Sequence, residues 1–387
     1  MNGFASGQAA RLLVVDDNPT NCELLSRRLA RLGHEVAIAE DGVRALEALR
    51  EADYDLVLLD ITMPGMDGYQ VLETMRADEA LCHVPVVMVS AIDESESVVR
   101  CLELGADDYL PKPFDPAVLR ARVESSLARK RLRDAERRQL QAIERELEIG
   151  RQIQAGFLPD EIPRLDGWDL GARFLPARQV AGDFYDLFPV GHGGVALVVA
   201  DVCDKGVGAA LYMALFRSLI RAIATQQDDV DARATLARTV RATSDYIATV
   251  HGSANMFATA FVAALEPRSG ELVYVNAGHD APLLARAGGA IERLGPTGPA
   301  LGLMPGQRFG VASTRIGPGE LLMAYTDGVT DAGSAAAPFG EAGILARIAQ
   351  RQGSVDALLD EIVAGLGALG GERSDDVTML AVRRLPG

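Results

Sequence analysis

Cysteine is scarce and unpatterned in this 387-residue chain: Cys22, Cys82, Cys101 and Cys203 form no CxxC pair and keep no spacing to histidine that suits zinc. That excludes a disulfide scaffold and a structural zinc site, and reads as small, mostly buried thiols in a reducing compartment. A basic footprint is lacking too. The formal net charge is -16 and the isoelectric point about 4.8, which argues against nucleic acid or an anionic membrane as the main partner. The opening MNGFASGQAA has no apolar core behind a basic start, and no apolar run approaches the roughly 20 residues of a membrane span. These absences predict a cytoplasmic protein with no nucleic-acid and no membrane partner. What is present is a hydrophobic content of 48%, ordinary for a globular protein, in a chain long enough for two or three domains.

The most informative stretch runs from Ala181 to Gly206, AGDFYDLFPVGHGGVALVVADVCDKG. Gly191, Gly193 and Gly194 mark a turn between two strands. Pairing in such a hairpin brings Asp183, at its start, and Asp201, at its end, to one rim of the sheet. Adjacent carboxylates repel and raise each other's pKa, and a divalent cation would resolve the conflict.

Three segments are expected: 10–125, a linking helix over 126–158, and 159–387. In the first, the strand patterns RLLVV, EVAIA, DLVLLD, VPVVMVS and DYLPK alternate with amphipathic stretches at Thr20–Leu32, Gly42–Glu51, Gly68–Ala77, Glu94–Leu104 and Pro116–Ala128. This alternation predicts a doubly wound (βα)5 fold with a parallel sheet, whose ligands bind beyond the carboxyl ends of the strands. Asp16, Asp17, Asp60, Ser90 and Lys112 all fall at those ends. One Asp at a strand end commonly caps a helix or forms a turn. Five polar residues at adjacent ends make a magnesium-binding carboxylate cluster, a phosphoryl-accepting carboxylate, and a hydroxyl and an ammonium for the phosphoryl oxygens.

With VVDDN at Val14–Asn18, LLDITMPGMDG at Leu58–Gly68, Ser90-Ala91 and DYLPKP, the segment resembles the receiver domain of two-component response regulators over essentially its full length. The resemblance implies Asp60 as phosphoacceptor and Mg2+ held by Asp16, Asp17, Asp60 and the Thr62 carbonyl. Ser90 and Lys112 would sense the phosphoryl group, Tyr109 would be the aromatic switch, and a sensor histidine kinase the phosphoryl donor.

From Pro116 the chain runs to Gly150 without glycine or proline, through RKRLRDAERRQLQAIERELEIG, which predicts one helix over forty residues long. Leu140, Ile143 and Leu147 keep a 3,4 spacing. The helix reads either as a solvated spacer or as a short parallel coiled coil across a homodimer. Leu119, Val123 and Leu127 do not continue the register, so the phase slips near Arg131 to Arg138.

Beyond residue 159 strands follow one another and helices arrive in pairs, Ala209–Thr225 with Val230–Val250, then Glu341–Gln350 with Val355–Leu366. That predicts an α+β layered fold with mainly antiparallel sheets. Asp327 closes the strand pattern LLMAYTD, and Asp375-Asp376 opens DVTMLAVR. Singly these are turn formers. Jointly with Asp183 and Asp201 they offer hard oxygen ligands without Cys or clustered His, which suits Mg2+ or Mn2+ rather than zinc or copper.

The motifs LPDEIP, VAGDFYDLF, VADVCDKGVGAALYMA, MFATAFVAALEP, VNAGHDAPLL, TGPALGL, YTDGVTDA and SDDVTMLAVR stand in that order. By them, roughly residues 150–385 resemble the metal-dependent serine/threonine protein phosphatases, in the bacterial branch typified by the stage II sporulation protein E. The resemblance implies an α-β-β-α sandwich and two or more Mg2+ or Mn2+ ions, with Asp201 bridging and the Val202 carbonyl beside it. Asp183 would complete one metal and Asp327 with Asp375 the other, Asp376 being the alternative to Asp375. The catalytic set is thus Asp183, Asp201, Asp327 and Asp375, and a metal-activated water would attack the phosphoester. The implied substrate is a phosphoserine or phosphothreonine protein, an anti-sigma-factor antagonist. DVCDKG departs from the family pattern, with Cys203 for Ser and Asp204 for Gly. Glycine there serves a positive φ that Asp tolerates better than most residues; alternatively the added acid binds a further cation or repels substrate. Asp331 stands for the family's Glu, and His279 reads as structural rather than as an acid or base.

Two functions fit these signals. One is a response regulator whose receiver controls a phosphatase; the other is a receiver-controlled binding or adaptor protein with a catalytically silent phosphatase fold. The filled ligand set favours the enzyme, since a silent domain is expected to lose carboxylates.

Overall fold

The computed structural model describes residues 9–386 apart from 92–94, 114, 160, 192, 227–230, 335–336, 351–352 and 371–372. His192, and the helix starts expected at Glu94 and Val230, lie outside the described residues. The chain divides into two compact units, Met1–Ile143 and Glu144–Gly387.

The first unit runs β1 (Arg11–Val15), α1 (Pro19–Arg31), β2 (Glu35–Ala39), α2 (Gly42–Glu51), β3 (Leu56–Asp60), α3 (Gly68–Ala77), β4 (Val86–Ser90), α4 (Ser95–Glu103), β5 (Asp108–Pro111) and the start of α5 (Pro116–Ala155). All strand pairs are parallel, in the order β2-β1-β3-β4-β5. Strands β3 and β4 are buried throughout, as continuous apolar runs in a sheet covered on both faces require. On one face Leu25 and Leu29 of α1 pack with Leu119, Val123 and Leu127 of α5; on the other, Leu46 and Leu49 of α2 pack with Leu72 and Met75 of α3. The start of α3 is fixed by a capping box between Asp67 and Gln70. A Cβ on Gly68 would lie 2.1 Å from the Asp60 carbonyl oxygen, so only glycine lets α3 begin this close behind Asp60.

Helix α5 is 40 residues long, passes Gly150 unbroken and links the two units. Leu140 and Ile143 of the 3,4 seam are 57% and 46% exposed, so the seam is not covered within one chain.

The second unit adds β6 (Trp168–Leu175), β7 (Phe184–Val190), β8 (Gly194–Val202), α6 (Val207–Thr225), α7 (Ala232–Val250), β9 (Ala258–Leu265), β10 (Glu271–Ala277), β11 (Leu283–Ala285) and β12 (Ile291–Arg293). It closes with β13 (Ala312–Arg315), β14 (Leu321–Tyr325), α8 (Asp327–Thr330), the short strands β15 (Gly333–Ser334) and β16 (Ala337–Pro338), α9 (Gly340–Gln350), α10 (Val355–Ala368) and β17 (Val377–Arg384). Two antiparallel sheets, β13-β10-β9-β8-β7 and β12-β11-β14-β17-β6, face each other across Leu197, Val199, Phe261, Leu322 and Leu380. Helices α6 and α7 cover the first sheet, and α9 and α10 the second, giving the α-β-β-α sandwich.

Some local structure departs from the sequence reading. The stretch RFGVAST at 308–314 reads as a strand, but β13 starts four residues into it, and the three-residue β12 is too short for any alternation to announce it. Helix α6 is long and apolar enough to cross a membrane by length and composition, against the expectation of no such run. Its apolar face is core: Ala209, Met213, Phe216 and Ile220 are buried against the sheet at 3,4 spacing. Its arginines serve the fold as well. Arg217 Nε lies 3.1 Å and Arg221 Nη2 2.7 Å from Asp186, a carboxylate only 1% exposed on β7.

Candidate functional site

In the first unit the carboxyl ends of β1, β3, β4 and β5 deliver Asp16 and Asp17, Asp60, Ser90 and Lys112 to one edge, because parallel strands all end on the same side. Carboxylate oxygens of Asp16, Asp17 and Asp60 lie within 4.8 Å of one another. Asp16, Asp60 and Ser90 are buried while Asp17 and Thr62 are exposed, giving the cluster a wet and a dry side. Lys112 Nζ closes the dry side, 2.7 Å from Asp16 Oδ2 and 2.9 Å from Asp60 Oδ1. Burial raises the Asp60 pKa despite the lowering effect of Lys112. Burial also works against the Lys112 ammonium, but its bonds to Asp16 and Asp60 prevail and its pKa rises. Tyr109 is buried on β5.

In the second unit the hairpin register pairs Phe184 with Ala200, which sets Asp183 beside Asp201 at one end of the first sheet. In the second sheet β14 pairs with β17, Tyr325 opposite Met379, so Asp327 just after β14 and Asp375-Asp376 just before β17 share an end. A hydrogen bond joins the two sheets there: Thr326 Oγ1 donates to Asp183 Oδ2 at 2.7 Å, and Thr378 N donates to Thr326 Oγ1 at 3.0 Å. A Cβ on Gly328 would lie 1.9 Å from the Asp376 carbonyl oxygen, which is why the Asp327 turn needs glycine.

The electrostatics of this set are strained by like charge. Burial, then Asp201, drives the Asp183 pKa well above its ordinary value. Burial, then Asp327, pushes Asp201 up to about 7. Asp327 is raised by burial and by Asp375, Asp280 and Asp331. Among the described residues only the receiver trio gathers three carboxylates within 4.8 Å, so these acids form a looser group.

Asp375 and Asp376 differ in what they do. Both oxygens of Asp376 are taken by backbone amides, Ala177 N at 2.8 Å and Gly182 N at 2.9 Å, so it clamps the loop that leads to Asp183. Asp375 instead faces Lys205, whose Nζ is 2.7 Å from its Oδ2. The Val202 carbonyl lies 2.9 Å from where a Cβ on Gly182 would stand, next to Asp183. Asp204 has φ 73, the left-handed conformation that glycine otherwise serves, and its Oδ1 accepts Lys205 N at 2.8 Å, so this carboxylate is turned back on its own loop. Buried His279 is held neutral, its pKa pushed down to about 4, and its Nδ1 pairs with Thr259 Oγ1 at 2.8 Å. Thr259 is the register partner of Asp201, so the imidazole supports the strand beside the acids.

Sequence reasoning missed three participants. Gln154 carries no motif, and Thr326 and Lys205 stood in motifs read for their acids. Gln154, near the end of α5, is buried and holds Ala181 both ways: Nε2 donates to Ala181 O at 2.7 Å, and Ala181 N donates to Oε1 at 2.9 Å. The last turn of α5 is thereby tied to the backbone two residues before Asp183.

A receiver fold followed by an α-β-β-α sandwich with acids gathered at the ends of both sheets defines a response regulator with a protein-phosphatase-type domain. The stage II sporulation protein E (SpoIIE) family matches residues 191–385 and the response regulator receiver domain matches residues 12–124; the chain belongs to the stage II sporulation protein E family. Protein IcfG of Synechocystis sp. is 42% identical over 262 residues, covering 62% of this chain and 41% of that protein. The DNA-binding response regulator MtrA of Mycolicibacterium smegmatis is 48% identical over 119 residues, covering 31% of this chain and 51% of MtrA. The chain thus spans about two fifths to one half of the length of these relatives. The SiaA-PP2C domain of Pseudomonas aeruginosa shares the fold, with TM-score 0.55 at 22% identity over 63% of this chain and 98% of that one.

Proposed function

We propose that this protein is a phosphorylation-controlled phosphatase. A sensor histidine kinase phosphorylates Asp60, and the output is hydrolysis of phosphoserine or phosphothreonine on a partner protein of the anti-sigma-factor antagonist class. In this reading residues 10–125 are the receiver, 126–158 the linking helix and 159–387 the phosphatase domain. The observation that carries it is the convergence of Asp183, Asp201, Asp327 and Asp375 at one end of two packed sheets.

The donor set fits Mg2+ or Mn2+: it is all oxygen, it is anionic, and the raised Asp183 and Asp201 gain most from a cation. When bound, such ions lower the pKa of a bound water and neutralise phosphoryl oxygens. The chain's own part is positional. Asp201, Asp183 and the Val202 carbonyl would hold one side of the pair, and Asp327 with Asp375 the other. We assign that role to Asp375 rather than to Asp376, because the two backbone bonds of Asp376 are already used to fix the 177–182 loop. Thr326 orients Asp183 by donating to its Oδ2. In the receiver, Asp16, Asp17, Asp60 and the Thr62 carbonyl would hold Mg2+, with Lys112 and Ser90 on the phosphoryl group and Tyr109 as the switch. Gln154 supports coupling through α5, since a shift of that helix end moves the Ala181 backbone.

The test is Mn2+-dependent hydrolysis of a phosphothreonine peptide by the full chain, with and without beryllofluoride. Asp201→Asn is expected to lower the rate by about 10^3-fold, several kcal/mol of transition-state stabilisation. Equal rates for the two proteins would mean a silent, binding-only domain.

A further inference from the structure

The sequence contains 35 arginines and only three lysines, Lys112, Lys130 and Lys205. Most surface ion pairs among the described residues are made with arginine, as in Arg173 with Asp356 and Asp360 or Arg286 with Glu320, and Lys130 makes one more on α5 with Asp55 and Asp134. Of the two other lysines, Lys112 spans the receiver's Asp16 and Asp60. The second unit has one lysine, and it too stands on the acids: Lys205 Nζ is 2.7 Å from Asp375 Oδ2 and 2.8 Å from the Ser374 carbonyl oxygen.

The backbone is bent to put it there. Asp204 at φ 73 and Gly206 at φ 85 are both left-handed, so the chain turns sharply on either side of Lys205 between the end of β8 and the first turn of α6. The contact joins residues 170 positions apart. Asp375 Oδ1 is occupied by Asp376 N at 2.9 Å, so Lys205 takes the oxygen that remains available for a cation. The lysine side chain is 41% exposed, which leaves its ammonium accessible to a ligand arriving from solvent.

We propose that Lys205 is a substrate-contacting residue that exchanges partners. It holds Asp375 until that carboxylate is drawn to a divalent cation, and its ammonium then passes to the phosphoryl oxygens of the phosphoester. A dianionic substrate entering a site with Asp183, Asp201, Asp327 and Asp375 needs a positive charge that the acids do not consume. The choice of lysine in an arginine-rich chain follows from the exchange. An ammonium on a flexible stem makes single, rotatable contacts and can leave a carboxylate, whereas a guanidinium grips it through a planar two-point fork.

This inference rests on the phosphatase reading, and the experiment separates the two. In the full-length chain, Lys205→Gln and Lys205→Arg are compared with wild type by Mn2+ calorimetry, inhibition by inorganic phosphate, and KM and kcat on a phosphothreonine peptide. Lys205→Gln is expected to bind Mn2+ several-fold tighter, because a competing cation is gone, and to bind phosphate about tenfold more weakly with KM raised by a similar factor. Lys205→Arg is expected to recover phosphate binding while weakening Mn2+ below wild type. Weaker Mn2+ binding by Lys205→Gln with phosphate inhibition and KM unchanged would overturn the proposal, leaving Lys205 as a prop for Asp375. Absence of turnover in wild type would defeat the phosphatase reading instead, and the calorimetry would still decide the competition at Asp375.

Discussion

The two acidic sites of this chain handle the same problem differently. In the receiver, Asp16, Asp17 and Asp60 come within 4.8 Å, and Lys112 supplies a counter-charge at 2.7 Å and 2.9 Å from two of them. In the second domain the acids are spread over two sheets, Asp201 is pushed up to about 7, and the one lysine in contact reaches Asp375 rather than Asp183 or Asp201. In the receiver one ammonium of the chain itself bridges two of the three acids. In the second site, among the described residues, Asp183 and Asp201 have no such ammonium beside them, and a proton or a cation from outside relieves their repulsion. That difference fits their proposed tasks, since the receiver must hold a phosphoryl group for a time whereas a hydrolase must bind metals and turn over.

The contrast between the two sites is tested most directly at Lys112. Lys112→Met leaves Asp16 and Asp60 buried without their partner and is expected to destabilise the first unit by about 3 kcal/mol or more, read as a lower denaturation midpoint. Lys205→Gln, at an exposed pair, is expected to shift the midpoint of the second unit by less than about 1 kcal/mol. Equal costs would erase the distinction between a half-buried lysine that bridges two acids and an exposed one that meets a single acid.

Gln154→Ala tests whether the second site depends on α5. Losing both bonds to Ala181 leaves a buried amide and carbonyl unpaired, at a cost of about 1–3 kcal/mol. The expected signature is a fall in turnover together with loss of any response to beryllofluoride; a full response would place the coupling elsewhere.

A pH dependence with a definite sign is expected as well. A carboxylate raised to about 7 keeps its proton in the folded chain at pH values where the unfolded chain, with a pKa of about 3.9, has released it. Asp201 therefore lowers stability as pH rises through that window. In chelator, Asp201→Asn is expected to melt above wild type at about pH 8 and together with it near about pH 4. A variant less stable than wild type at the higher pH would show that the acids are already neutralised within the chain.

Much of the fold is legible in the order of residues. The five-fold alternation in the first unit follows from short β-branched runs between amphipathic stretches, and the hairpin from Phe184 to Val202 follows from glycine-marked turn chemistry between apolar runs. Short elements escape this reading: β12 has only three residues, which hold no period, and β13 starts later than its residue pattern. Helix α6 shows the limit of composition: an apolar 19-residue helix passes for a membrane span until Arg217 and Arg221 are seen gripping buried Asp186. At the acids, which residues matter is readable from their positions at strand ends. The division of labour between Asp375 and Asp376 is not, because adjacent carboxylates are chemically identical until the fold hands one of them two backbone amides.

Local sequence suffices for the two domain types, the long helix between them and the identity of the acids, because periodicity, turn residues and strand-end carboxylates are properties of short stretches of chain. What each acid does is set by packing. Thr326 reaches Asp183 across 143 residues, Asp376 reaches Ala177 across 199 and Lys205 reaches Asp375 across 170. Contacts at such separations arise only when two sheets pack and their ends are brought together, and nothing in the order of residues specifies which side chain will then be nearest.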